Sequence, residues 1–179
     1  MGIPTLISTC TSSGAALCAF TSGIDSTYDE YMFVITDLNP ESGGSNILWQ
    51  ASTDGGSSYG VTATTTAFKA NHKEDDSSAS LTYDTGQDQA QSTGNINIVW
   101  GAGIGSDESA SGIVHLFSPS STTYVKHFYS RWNSYEQNDM SHQPFVAGYF
   151  NTTSAIDAVK FVVDSAGNFD GVIQMYGIA

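Results

Sequence analysis

The sequence has few basic residues, with five lysines and arginines against eighteen acidic residues and a formal net charge of −13. Nucleic acids attract proteins through lysine and arginine contacts to phosphate, so we expect no nucleic-acid partner. The same excess of negative charge argues against binding to an anionic membrane surface. No run approaches the roughly 20 apolar residues of a membrane helix, and no basic, apolar leader opens the chain, so we expect no Sec export.

Charged residues of either sign are also scarce, at 13% of the chain, which is half the share of about 25% in average globular proteins. Serine, threonine, glycine, asparagine and glutamine take their place. Helix surfaces usually need lysine, glutamate and arginine, whereas sheets with many turns tolerate an uncharged polar surface. Hydrophobic residues make up 40%, which suffices for a core. The composition predicts one all-β domain over residues 1–179.

Cysteine is nearly absent, since Cys10 and Cys18 are the only two. Their spacing allows a bridge across a hairpin and matches no metal-ligand pattern. No basic residue lies near them in sequence to depress a thiol pKa. We predict two small hydrophobic residues in strands, with a disulfide as the alternative.

The clearest structural signal is a hairpin in the second half of the chain. Residues 113–117 and 123–132 are rich in β-branched and aromatic residues, and residues 118–122 form a polar turn with a proline. The pairing that we predict sets His115 opposite Lys126, which places His115 and His127 on opposite faces.

The remaining sequence repeats this theme of short strands and polar turns. We predict ten or eleven strands in an antiparallel β-sandwich, most like a jelly roll. Residues 1–21 give two short strands and are a candidate attachment or oligomer-contact segment. A short helical turn is an option at 68–72 and at 84–91, and residues 133–143 are predicted as a loop before a strand that Pro144 opens.

No catalytic, cofactor-binding or metal-binding residue is predicted. The four histidines, His72, His115, His127 and His142, match no metal-ligand spacing. There is no G-x-S-x-G nucleophile motif, and the glycine-rich residues 101–105 precede acidic residues rather than a helix with a lysine. We therefore predict that the chain is not an enzyme and holds no cofactor.

One acidic turn merits comparison with calcium-binding loops. Asp164, Asn168 and Asp170 offer side-chain oxygens, but the order and the closing glutamate of an EF-hand loop are missing. A hairpin turn is the better interpretation.

The aromatic residues support an alternative function. Exposed rings with polar neighbours suit sugar stacking, although most aromatic side chains pack in cores. The candidates for such a platform are Trp49, Trp100, Trp132, Tyr129, Tyr135 and Tyr149.

Five stretches of the sequence carry a resemblance to known proteins. They are SGIDSTYDEYMFVITDLNP (22–40), TYDTGQDQAQSTG (82–94), HLFSPSSTTYVKHF (115–128), FVAGYFNTTSAIDAVKF (145–161) and GNFDGVIQMYGI (167–178). Together they resemble a group of small structural proteins encoded by marine tailed bacteriophages. The resemblance covers nearly the whole chain and is weakest over residues 1–20. Its motifs are structural, so it carries no active-site residue.

This resemblance implies a virion component. We predict a non-enzymatic structural protein of the phage surface, made in the host cytoplasm, that decorates the capsid or forms part of a tail fibre. Its expected partners are other virion proteins and its own copies, with a trimer as the first choice. The alternative is a carbohydrate-binding module or lectin-like receptor-binding protein that contacts a host surface glycan.

Overall fold

The computed structural model describes residues 2–41, 45–164 and 167–179, and their regular structure is β-strand without a helix. All twelve strands pair in antiparallel fashion, which confirms the predicted all-β antiparallel class. The strands are β1 (Thr5–Ala15), β2 (Leu17–Phe20), β3 (Glu30–Pro40), β4 (Ser45–Ser52), β5 (Ala63–Lys73), β6 (Ala79–Tyr83), β7 (Ile96–Ala102), β8 (Ala110–Phe117), β9 (Lys126–Glu136), β10 (Met140–Phe150), β11 (Ala158–Val163) and β12 (Phe169–Ile178).

The strands form one nearly closed sheet that branches at β9. The main path runs in the order β1-β12-β3-β8-β9-β7-β4-β11-β2. From β9 a second path leads through β10 and β5 to β6. The link between β9 and β7 is a single pair, Glu136 opposite Ala102, so β9 pairs mainly with β8 and β10.

A disulfide joins the two ends of the main path, because Cys10 on β1 is bonded to Cys18 on β2. Each of these strands also pairs with its own neighbour, β1 with β12 and β2 with β11. The prediction of two unbonded hydrophobic residues is therefore wrong, and the alternative bridge is the structure that forms. The Cys18 side of this disulfide is fully buried.

Aromatic side chains fill the centre of the core. The Trp49 ring of β4 lies 5.0 Å from Phe128 and 5.3 Å from Phe150, on β9 and β10. Phe161 of β11 lies 5.5 Å from Phe33 of β3. Burial of such large apolar rings is the main stabilising term in folding. These contacts pack β4 and β11 against β3, β9 and β10.

The hairpin between β8 and β9 forms, but its pairing differs from the predicted one by three residues. His115 lies opposite Tyr129 rather than Lys126. A shift by an odd number exchanges the two faces of a strand. His115 and His127 therefore point to the same face, not to opposite faces.

Lys126 is fully buried in consequence. Its Nζ donates to the backbone oxygens of Tyr124 at 3.0 Å and Thr152 at 3.1 Å. Burial lowers the pKa of this amine, because the charged form loses its hydration.

Two further local predictions, the loop over 133–143 and the strand start at Pro144, are wrong, and the optional helical turns at 68–72 and 84–91 do not form. Residues 133–143 are not a loop but the end of β9, a short turn and the start of β10. Residues 68–72 lie in β5 and form no helical turn. Pro144 lies inside β10 rather than at its start, and the pairing with β9 is interrupted between His142 and Phe145, since proline has no N–H to donate.

Candidate functional site

The outer face of β9 and β10 is the most distinctive surface of the protein. On β9 the residues Lys126, Phe128, Ser130, Trp132 and Ser134 are buried, while those between them are exposed up to Asn133. The same alternation runs through β10 from Ser141 to Ala147. Because successive side chains of a strand point to opposite faces, one set lies in the core and the other set lies outside.

A shallow groove of about 430 Å³ crosses this face. Ala147 is among its lining residues and lies opposite Tyr129 of β9 on one side and Thr66 of β5 on the other. A methyl group between two larger side chains leaves a depression. The residues that line it are Thr64, Thr65, Thr66, Phe117, His127, Phe128, Tyr129, Ala147, Gly148 and Tyr149.

Three stacked rings form the β8–β9 side of this groove. Tyr129 lies 4.5 Å from His115 and 5.8 Å from Phe117, with interplanar angles of 18° and 29°. His115 is held from behind, because its Nδ1 lies 2.5 Å from Oε1 of Glu30. The stack keeps the Tyr129 ring in place while 44% of that residue stays exposed.

Three side chains with polar atoms, His127, Tyr149 and Thr66, lie along the rest of the groove, although its exposed lining is mostly apolar. The His127 ring lies 6.1 Å from the Tyr149 ring in an edge-to-face arrangement. Thr66 Oγ1 donates to the backbone oxygen of Ala147 at 3.4 Å. Within residues 2–41, 45–164 and 167–179, no protein group hydrogen-bonds to the His127 ring or to the hydroxyls of Tyr129 and Tyr149. These groups are therefore open to a ligand.

A second stack continues the aromatic face toward β6. Phe68 of β5 and Phe145 of β10 lie directly opposite each other, with ring centroids 4.7 Å apart and nearly parallel planes. The guanidinium of Arg131 lies 5.5 Å from the Phe145 centroid, which is a favourable cation–π distance. Phe68 in turn lies opposite Tyr83 of β6.

The groove is free of negative charge although the protein is acidic. No aspartate or glutamate is among its lining residues, and the nearby carboxylate of Glu30 is occupied by His115. This patch therefore differs from a surface that otherwise repels anionic partners and copies of itself.

The structure divides the six aromatic candidates into three groups. Trp49, Trp100 and Trp132 are buried and belong to the core, so they offer no stacking platform. Tyr129 and Tyr149 lie together in the groove. Tyr135 lines a separate depression with His72 and Glu74. Burial, with the charges of Glu74 and Asp139, raises the pKa of Tyr135 to about 12.

The four histidines have different environments. His72 pairs with Asp76 at the surface, and His115 and His127 lie on the outer face. His142 is buried, packs edge-on against Trp100 at 5.1 Å, and has no hydrogen-bond partner on either ring nitrogen. Nothing in the sequence around His142 marked it as the buried one.

The acidic turn before β12 uses its oxygens within the protein. Asp164 Oδ1 accepts from the backbone N–H of Asn46 at 2.9 Å, and Asp170 Oδ1 accepts from that of Gly14 at 2.8 Å. The backbone oxygen of Asn168 accepts from Glu41. In the described part of the chain, no three histidine, cysteine, aspartate or glutamate side chains are grouped as metal ligands.

No protein-family model, curated protein or solved structure matches the chain. No helix long and apolar enough to cross a membrane occurs among the described residues. Sequence reasoning missed Phe117, His127 and Ala147 as parts of the groove. The alternation of residues 127–131 and 145–149 was the available signal, but only the pairing of β9 with β10 and of β10 with β5 brings the parts together.

Proposed function

We propose that the chain is a non-enzymatic structural protein of the surface of a tailed-phage particle, as a capsid decoration or a tail-fibre subunit. In this role it assembles with its own copies and with other virion proteins. The resemblance of its sequence supports the phage setting. The observation that carries the assembly role is the open edge of β6.

The β6 strand is an uncovered edge. Its sequence is Ala-Ser-Leu-Thr-Tyr, all five residues are exposed, and β5 is its one neighbour among the described strands. Leu81 is 72% exposed and Tyr83 is 54% exposed, beside Phe68 at 41%. An edge strand presents unpaired backbone N–H and C=O groups along its open side.

Proteins that stay monomeric usually protect such an edge with lysine, proline or an inward-pointing charge. The β6 strand has none of these. By contrast, β1 and β2 at the ends of the main path are tied to each other by the Cys10–Cys18 bridge. An unprotected edge that bears apolar side chains favours pairing with a strand of another subunit.

The finer architecture belongs to the same proposal. We propose that β7, β4, β11 and β2 face the remaining strands as one layer of a jelly-roll-like sandwich. The contacts of Trp49 with Phe128 and of Phe161 with Phe33 across the core support this arrangement. A trimer with closed cyclic symmetry is the assembly that we propose first, because phage structural proteins of the kind that the sequence resembles commonly work as symmetric oligomers.

Quantitative mass spectrometry of purified virions tests the setting. We expect the chain to be present, and its copy number relative to the major capsid protein separates the two locations. Hundreds of copies indicate capsid decoration, and a small multiple of three or six indicates the tail. Absence from the particle contradicts the proposed function.

Replacement of Leu81 by lysine is expected to abolish self-association at micromolar concentration. The change places a charge on the edge strand and removes its most exposed apolar side chain, which is how natural edges avoid pairing. Sedimentation velocity gives the mass of the wild type and of L81K. Tyr124→Lys is the control, since Tyr124 is also 72% exposed but lies outside the strands. A wild type that is itself a monomer at this concentration contradicts self-assembly through β6.

A further inference from the structure

We infer that the groove lined by Thr66, Tyr129, Ala147 and Tyr149 binds a neutral sugar. This site lies on the outer face of β5, β9 and β10. It goes beyond the structural role and does not use the β6 edge, because neither Leu81 nor Tyr83 lines the groove.

The first argument is size and shape. The volume of about 430 Å³ falls in the usual range of small-molecule sites, roughly 300–1,000 Å³. The depression exists because Ala147 stands between Tyr129 and Thr66 on the neighbouring strands. A shallow depression beside an exposed ring offers a stacking surface for a small ring-shaped ligand.

The second argument is the aromatic platform beside an almost entirely apolar lining. Phe117 and Tyr129 offer ring faces, and their stack with His115 holds them in place before any ligand arrives. A pyranose has an apolar C–H face that packs on such rings and hydroxyl groups around its rim.

The third argument is hydrogen bonding. The His127 ring and the hydroxyls of Tyr129 and Tyr149 have no protein partner among the described residues, and hydroxyl and imidazole groups both donate and accept. Sugar hydroxyls also donate and accept, so the two sets are complementary. Groups that keep some rotational freedom fit a ligand whose rim hydroxyls point in several directions.

The fourth argument concerns charge. The lining contains no lysine, arginine, aspartate or glutamate. A site for sialic acid, a uronic acid or a sugar phosphate needs a cation to offset the desolvation of the anion. The groove offers none, so the ligand class is the neutral hexose or N-acetylhexosamine.

The test is a titration of the ¹⁵N-labelled protein, followed by two-dimensional NMR, with glucose, galactose, mannose and N-acetylglucosamine as separate probes. Glycerol is the control for nonspecific polyol effects. We expect at least one sugar to shift the amide signals of residues 127–129 and 147–149 in a saturable way. No saturable shift with any of the four sugars overturns the inference.

Two variants locate the site. Ala147→Phe fills the groove at an exposed strand position, and Tyr129→Leu removes the stacking ring. Each is expected to weaken the sugar affinity about tenfold or more, while Tyr124→Leu leaves it unchanged. Retention of the affinity by A147F means that the sugar binds elsewhere and overturns the inference.

Sedimentation of the same proteins separates this inference from the proposed function. If A147F abolishes self-association and wild type binds no sugar, the groove is a subunit contact and the sugar site is refuted. Sugar binding by a protein that is absent from virions supports the inference while the structural role fails. A variant at β6 that loses assembly and keeps the sugar affinity supports both.

Discussion

Replacement of Trp49 by alanine is expected to lower the free energy of unfolding by about 4 kcal/mol, within the range of buried tryptophan-to-alanine changes. Trp49 is fully buried, and its ring contacts Phe128, Phe150 and Phe161 on three different strands. Alanine removes all three contacts and leaves a cavity that neighbouring strands close only in part. The loss exceeds what one aromatic pair contributes, because Trp49 connects β4 and β11 to β9 and β10.

Urea unfolding followed by circular dichroism measures this effect. Natural domains have about 5–15 kcal/mol of stability in total, so W49A is at risk of being unfolded in buffer. Trp49→Phe serves as the graded variant, with an expected loss of about 1–2 kcal/mol. The Nε1–H of Trp49 is buried without a hydrogen-bond partner. Phenylalanine removes that donor, which offsets part of the stability that W49F loses.

The control for this series is an aromatic residue outside the core. Tyr124→Ala is expected to change stability by less than about 0.5 kcal/mol, since Tyr124 is 72% exposed. Equal losses for W49F and Y124A would contradict the central place of Trp49. The W49F variant is also expected to disturb the groove, because Phe128 lies between His127 and Tyr129 on the strand that Trp49 supports.

Local pattern was enough to predict the class of the fold. The β-branched and aromatic residues of 113–117 and 123–132, on either side of a polar turn, are a strand signal that needs no knowledge of a partner. The polar composition of residues 133–143 predicts a loop, whereas the structure has strand there except for a short turn. Polar side chains also suit a solvated strand, and there only the neighbours β5, β8 and β9 distinguish a strand from a loop.

The register of the central hairpin depended on the turn, which local pattern does not determine. Ser121 Oγ accepts from the backbone N–H of Thr123 at 3.2 Å and of Tyr124 at 3.1 Å. These two N–H groups are therefore not available to a ladder, and the turn extends to Val125. Such serine-backbone bonds compete with strand pairing, and the three-residue shift follows from them.

The candidate site was predictable only in its parts. Tyr129 and Tyr149 were recognised as aromatic residues with polar neighbours. The groove also needs Thr66 and Ala147, which meet because β5 pairs with β10 across some eighty residues of sequence. Contacts between distant segments leave no local signal in the sequence. The small side chain of Ala147 indicates a depression only when the larger residues on the neighbouring strands are known.

The stability of the protein is expected to fall as the pH drops from about 6.5 to about 4, with one part of that fall due to His142. Its side chain is buried against Trp100, and neither ring nitrogen has a hydrogen-bond partner. Burial, and then the positive charge of Lys69, lower the pKa of His142 from 6.5 to about 4. The charge of Glu136, a polar contact with the Trp100 backbone and the charge of Asp84 act in the opposite direction and by less.

The direction of the effect follows from proton binding in the two states. Above pH 6.5 the imidazole is neutral in both, so its titration changes nothing. Between pH 6.5 and about 4, His142 is protonated in the unfolded chain but stays neutral in the folded protein. Proton binding therefore favours unfolding as the pH falls. Below about 4 both states are protonated and the loss is complete. One pKa unit corresponds to 1.36 kcal/mol, so the full loss is about 3 kcal/mol.

Comparison with His142→Phe isolates this contribution from that of the carboxylates, which titrate over part of the same range. Phenylalanine keeps a ring against Trp100 and cannot bind a proton, so H142F is expected to lose less stability between pH 7 and pH 4 than wild type, by about 3 kcal/mol. His72→Gln is the matched control, since His72 is an exposed histidine paired with Asp76, and its stability curve should follow that of wild type.

The same comparison tests whether the buried imidazole stabilises the folded protein at neutral pH. Two unpaired ring nitrogens in the core each lose hydration without gaining a partner, so H142F should be at least as stable as wild type at pH 7. Parallel curves for H142F and wild type across the acid range would mean that the ring is hydrated in the folded state. A lower stability of H142F at pH 7 would mean that His142 has hydrogen bonds that compensate for its burial.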